Sequence, residues 1–205
     1  MKTLNEIKQG IASMAALSLK MWQLTHQSFI DHDLELLSNV LGEENKLNGM
    51  EKELTAELVL LGRHSDSAEE KSRVIVFADV VGDLELIGDY CKDILERVQI
   101  KIAEKLLFSD EAVQEYEQLY RKAEDALKEV ASALERDDLS RVKQVASREE
   151  HIDSLVDAYR QKHNQRMIDG ICSPMACNMF LNMLDFTAAV YYHTKKIARN
   201  LVKIR

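Results

Sequence analysis

The residues best suited to chemistry lie in the run Asp79-Val-Val-Gly-Asp83-Leu-Glu85-Leu-Ile-Gly88-Asp89-Tyr-Cys-Lys-Asp93. Glu85, Asp89 and Asp93 recur every fourth residue. On an α-helix that spacing brings three side chains to one side, drifting about 40° per step. Like charges so placed repel by a few tenths of a kcal/mol per pair. The ladder therefore reads in two ways: a hydrated helix face, or a metal site in which a cation offsets the repulsion. Carboxylate oxygens suit hard cations such as Mg²⁺, Ca²⁺ or Mn²⁺, and iron also accepts them. Gly88 costs about 1 kcal/mol in a helix relative to Ala, which points to a close backbone approach beside Asp89.

A second ladder, Glu149, Asp153 and Asp157, has the same spacing. Glu44 and Asn48 stand at the equivalent start of an earlier helix. Asp185 and His193, eight residues apart, mirror Glu85 and Asp93 and add a possible imidazole ligand. Each of these also reads as ordinary hydrated surface. The six histidines form no recognisable set, and there is no Glu-x-x-His pair for a ferritin-like di-iron centre. H-E-x-x-H, G-x-S-x-G, Walker and G-x-G-x-x-G signatures are absent from the sequence. Cys91, Cys172 and Cys177 read as reduced thiols in packing roles, since Cys172 and Cys177 lack the C-x-x-C spacing of a zinc or redox site.

The elements that position these residues are helices. Six are expected. Thr3 with Glu6 has the spacing of a capping box and opens the first, which runs to about Phe29. The second runs from about Asp33 to Arg63, after a break at Asp31-His32-Asp33. Ser67 with Glu70 opens the third, which reaches about Leu107. Ser109, followed by two acids that suit the positive end of the helix dipole, opens the fourth. Asp137 or Asp138 opens the fifth, ending near Gly170, and Ser173-Pro174 opens the sixth. Met14, Met21, Trp22 and Phe29 fall at helical intervals and read as core.

The chain also resembles itself. Asp33-Leu34, Val40, Glu44, Leu47, Asn48 and Met50 match Asp138-Leu139, Val145, Glu149, Ile152, Asp153 and Leu155 at an offset of 105. Leu84-Glu85 matches Leu184-Asp185 at an offset of 100. The expected architecture is all-α: two tandem three-helix bundles packed side by side, residues 1–107 and 108–205.

Composition agrees. One Pro and seven Gly among 205 residues cannot punctuate the many turns of a β-sandwich or barrel. At 46% hydrophobic the chain is too apolar to be disordered. A net charge of −8 argues against a nucleic-acid binder and suits a partner that is cationic. No apolar run is long enough to span a bilayer, and the N-terminus has no signal-peptide core, so a cytoplasmic location is expected.

The run Asp83-Leu84-Glu85-Leu86-Ile87-Gly88-Asp89 resembles the E/D-x-x-x-D signature of the PhoU family, with Leu86 where the family usually has Arg. The two-unit layout resembles that family over nearly the whole chain. Phe108-Ser109-Asp110-Glu111-Ala112, His163-x-x-Arg166 and Gly170-Ile-Cys172-Ser-Pro resemble the PhoU-like domain of bacterial sodium/phosphate cotransporters. The resemblance implies metal held by the acidic motifs, with Glu85 and Asp89 as the motif acids and Asp93 following. The metal could be Fe, Mn, Zn or Mg. In the second unit Asp185 matches the first motif acid, but Ala189 stands where the second belongs, and Phe186 and Thr187 replace Arg and Ile. One well-formed site is therefore expected, with Glu44, Asn48, Glu149, Asp153, Asp185 and His193 as further candidates. The implied role is non-catalytic regulation of phosphate uptake at the inner membrane face, through a membrane transporter or a sensor kinase, with homo-oligomers possible. The alternative is a metal-free helical interaction or dimerisation domain. A carboxylate-bridged metalloenzyme is a third reading, disfavoured by the missing Glu-x-x-His pairs.

Overall fold

In the computed structural model, residues 2–148 and 151–204 are described. Among them the chain is all-α: α1 (Leu4–Asp31), α2 (Leu34–His64), α3 (Ala68–Ala103), α4 (Asp110–Arg136), α5 (Leu139–Ser147), α6 (Ile152–Ile168) and α7 (Pro174–Lys203). The first three helices pack on one another, and α4, α5 and α6 pack around α7. The two groups join where α3 lies along α7 and α1 along α4. No helix of the described residues is long and apolar enough to cross a membrane.

Helix starts follow local chemistry. The Thr3 hydroxyl caps the Glu6 N–H while the Glu6 carboxylate accepts from the Thr3 N–H, a complete capping box. Asp33, Ser67, Ser109, Asp138 and Ser173 each cap the helix they precede, and Pro174 takes the first helical position. His32 and Asp137 close α1 and α4 in left-handed backbone conformation, at φ 54° and 49°.

One expectation is corrected. The fifth helix does not run from Asp138 to Gly170; α5 ends at Ser147, α6 begins at Ile152, and the described residues form seven helices rather than six. The reason is tertiary. Arg148 takes extended backbone, with φ −58° and ψ 121°. Its carbonyl accepts from Lys195 on α7 and its guanidinium grips Glu129 on α4. These partners hold the chain out of helical register with no Gly or Pro to announce it. The third helix also stops at Ala103, short of Leu107.

The core is continuous across both groups. Met14, Met21 and Trp22 are fully buried and Phe29 nearly so, as their spacing predicts. At the α1–α4 contact, Trp22 stacks on Tyr120 at 4.8 Å and Tyr120 stacks on His26 at 3.9 Å. Below them Phe29, Tyr116, Phe108 and Phe180 form a chain of ring contacts that reaches α7. Lys101 lies over the rings of Phe29 and Phe108, and its ammonium meets His32 Nε2 at 2.5 Å. Burial pulls the Lys101 ammonium below its usual value.

The α3–α7 contact contains a buried acid. Asp83 is 1% exposed, and its Oδ1 accepts from His193 Nδ1 and Lys196 Nζ, each at 2.8 Å. On the other side of α3, Gly88 lets α2 come close. A Cβ on Gly88 would stand 2.2 Å from Leu47 Cδ2 and 3.5 Å from Met21 Cε. A Cβ on Gly82 would meet nothing within 4 Å.

The two glycines should therefore respond oppositely. Gly82→Ala is expected to stabilise the chain by about 0.5–1 kcal/mol, the ordinary helical penalty of glycine. Gly88→Ala gains the same term but overpacks a closed contact, which costs about 1–3 kcal/mol. Its midpoint in urea unfolding should fall below that of Gly82→Ala, and equal midpoints would show that Leu47 moves aside freely.

Candidate functional site

The acid ladder lies on the α2-facing side of α3, opposite the side that carries Asp83 to α7. Glu85, Asp89 and Asp93 are all half-buried. Across from them, α2 presents Glu44, which is nearly buried, and Asn48. The close approach at Gly88 and Leu47 sets this spacing, since Leu47 sits between Glu44 and Asn48 in sequence and fills the space that a side chain at 88 would take. Glycine and acids are thus one arrangement: the backbone contact brings the two polar faces together.

The electrostatics show which residues meet. Glu85 has its carboxyl raised above the usual value, first by burial and then by the charges of Asp89, Glu51 and Glu44. Asp89 is raised by burial and by Glu44, with Lys92 opposing. Asp93 is raised by burial, then by Glu96 and Asp89, with Arg97 and Lys92 opposing, and ends the ladder in sequence. Glu44 Oε1 accepts from Asn48 Nδ2 at 3.0 Å and from Lys92 Nζ at 3.3 Å. Asn48 Oδ1 is buried and has no hydrogen-bond partner. A buried carbonyl oxygen left unmatched costs roughly 1–3 kcal/mol, so this atom sits beside the acids as an unused ligand.

The oxygen donors of Glu44, Asn48, Glu85 and Asp89 are chemically suited to a hard cation. They are not closed around one. Among the described residues, no three of the acids bring their oxygens within 4.8 Å of one another. Lys92 partly occupies the place of a cation by neutralising Glu44. Glu51, one further step along α2, belongs to this cluster and was not among the expected residues; its position seven residues after Glu44 is the helical signal that marks it.

The other expected residues lie elsewhere. Asp185 is exposed and pairs with Arg160 of α6 at 2.5 Å. His193 turns into the α3–α7 seam onto Asp83, so it does not join Asp185. Phe186, in the place of the motif arginine, lies 6.0 Å from the Tyr90 ring and under the Arg97 guanidinium. Asp153 is exposed at the start of α6. Glu149 lies outside the described residues. Of the second ladder, Asp153 and Asp157 belong to α6.

With this geometry in place, the likeness to known proteins is specific. Residues 11–98 match the model of the PhoU domain family. The crystal structure of PhoU from Pseudomonas aeruginosa superposes with a TM-score of 0.89 at 20% identity, covering 98% of this chain and 96% of that one. The phosphate transport system regulatory protein PhoU from Streptococcus pneumoniae superposes with a TM-score of 0.85 at 18% identity, covering 98% and 94%. No curated protein matches the chain in sequence at a significant level. The segment that matches the PhoU domain model takes in α3 as far as Val98, with the whole acid ladder, and over 98% of the chain the fold is like that of the Pseudomonas aeruginosa protein.

The raised carboxyls make stability depend on pH. A carboxyl raised in the folded state binds protons more tightly there than in the unfolded chain. Its contribution is therefore fully present below the unfolded value and is lost as pH rises through the folded one. In chelator-treated protein, stability should fall over the interval just above ordinary carboxylate values, as far as these groups contribute. Asp89→Asn should flatten that part of the profile and raise Tm at neutral pH, and an unchanged profile would show the acids to be fully hydrated.

Proposed function

We propose that the chain regulates phosphate transport, carrying a metal ion between α2 and α3 and acting on a membrane transporter or its sensor kinase. The observation that carries this reading is the coincidence of the PhoU fold with the acid ladder in its family register, set against α2 by Gly88. Glu85 and Asp89 would hold the ion, with Glu44 and the unpartnered Asn48 oxygen completing an all-oxygen set. Asp93 stands at the outer edge, where water would bridge it. The ion supplies positive charge, which removes the repulsion among Glu44, Glu85 and Asp89. Lys92, which now pairs with Glu44 at 3.3 Å, would then be released from that carboxylate.

The role is regulatory rather than catalytic. The acids offer ligand oxygens to a cation. Their face is a shallow side of two helices, suited to docking. A location at the inner membrane face, in the manner of a cotransporter's PhoU-like domain, belongs to the same proposal. The second acidic motif is not expected to bind, because Ala189 lacks a ligand and Asp185 is tied to Arg160.

The test is metal binding by the purified chain, after chelation, with Mn²⁺ and Fe³⁺ as probes. A cation at about a hundred times its dissociation constant adds roughly 2.7 kcal/mol, which for a chain of this length raises Tm by about 5–10 °C. Glu85→Gln with Asp89→Asn should abolish that rise. A chain whose Tm does not respond, and which sediments as a concentration-dependent oligomer, would instead be a metal-free interaction domain. In cells, loss of the chain should change the response of phosphate uptake to phosphate supply, and the double variant should reproduce that change.

A further inference from the structure

A second cluster of ligand atoms lies on other helices, where α6 turns into α7. His163, Cys172 and Cys177 each offer one ligand atom there, and these lie within 4.8 Å of one another. They are the one such set of His, Cys and acid groups among the described residues. Cys172 Sγ lies 3.8 Å from His163 Nε2. All three thiols of the chain are free.

We propose that His163, Cys172 and Cys177 form a binding site for a zinc-type cation, distinct from the acid cluster on α2 and α3. The dimensions agree. Zinc takes thiolate sulfur at about 2.3 Å and imidazole nitrogen at about 2.0–2.1 Å. Tetrahedral angles then put sulfur and nitrogen about 3.6 Å apart, and two sulfurs about 3.8 Å apart. The observed sulfur–nitrogen separation is within a few tenths of an ångström of that figure.

The surroundings are built for it. His163 is 1% exposed, and its ring is stacked on Phe180 at 4.1 Å, which fixes the plane in which Nε2 points. Burial, with the Arg166 guanidinium beside it, holds the imidazole down at about 4, so the ring is neutral and keeps a lone pair for a cation. Cys177 stands in the first turn of α7, its Sγ 3.9 Å from both the His163 carbonyl oxygen and Asn164 Oδ1. Cys172 comes from the loop and is only half-buried, so solvent reaches the cluster from its side. That leaves a fourth position for water, as in open zinc sites.

Charge and protons balance. Binding releases one proton from each thiol, and a divalent cation with two thiolates and a neutral imidazole has no net charge. A half-buried location therefore does not penalise it. With Nε2 on the cation the ring proton sits on Nδ1, and Arg166 Nη1, 3.5 Å from Nδ1, gives up only that long contact. Arg166 stays anchored by its two 2.8 Å bonds to Glu115, so its charge remains paired and the ring stays neutral. The soft sulfur donors separate this site from the all-oxygen cluster, which prefers hard ions.

Co²⁺ reports thiolate ligation by a charge-transfer absorption that oxygen ligands do not give. The full-length chain, reduced and stripped of metal, should develop that band to one equivalent of added Co²⁺ and lose it on adding Zn²⁺. Cys172→Ser alters a half-exposed loop residue and should fold normally. It should weaken binding by more than the roughly tenfold to hundredfold that loss of an outer partner costs. Cys177→Ser should do the same, while Glu85→Gln with Asp89→Asn should keep the band intact. The proposal is overturned if the parent chain shows no thiolate band, or if Cys172→Ser and Cys177→Ser bind Co²⁺ as tightly as the parent.

Discussion

Helices α3 and α7 pack along each other, and each of the other five packs on one of them. That pair is the spine on which the rest depends. A spine helix must serve two contacts at once, so its sides carry different chemistry. On α3, one side buries Asp83 against His193 and Lys196, and the other brings Gly88 onto Leu47. The acids fall beside the second contact and so inherit its spacing. Where the helices approach most closely, the polar groups on their rims are also held closest, and partial burial raises the carboxyls there.

The same packing logic explains why the two halves differ in chemistry while sharing architecture. In the first half the half-buried acids line the rim of the apolar contact that α3 makes with α2. In the second, Phe186 and Asp185 are drawn into contacts with Tyr90, Arg97 and Arg160. An acid engaged with a guanidinium across a helix pair gives its charge to structure and has none left to offer an ion.

How much of this was legible in the sequence depended on range. The helix starts at Thr3, Asp33, Ser67, Ser109, Asp138 and Ser173 were readable because a cap is decided within three residues. The ladder was readable for the same reason, and Gly88 announced a close approach because glycine is costly inside a helix. The break after Ser147 was not, because Lys195 and Glu129 impose it from two other helices. His193 read as a neighbour of Asp185 by spacing, but Asp83, on another helix, claims its imidazole. His163 and the two cysteines read separately, the thiols as packing residues, because the turn between α6 and α7, not a local spacing, brings them together.

His32 and Asp137 stand 105 positions apart, the offset that relates the two halves, and both hold left-handed dihedrals. One is an imidazole that meets a lysine, the other a carboxylate that pairs with Lys8. Neither is glycine, the residue that such a bend would favour. The halves therefore agree in torsion where they disagree in alphabet. A comparison of letters passes over that correspondence, while a comparison of backbone angles finds it at once.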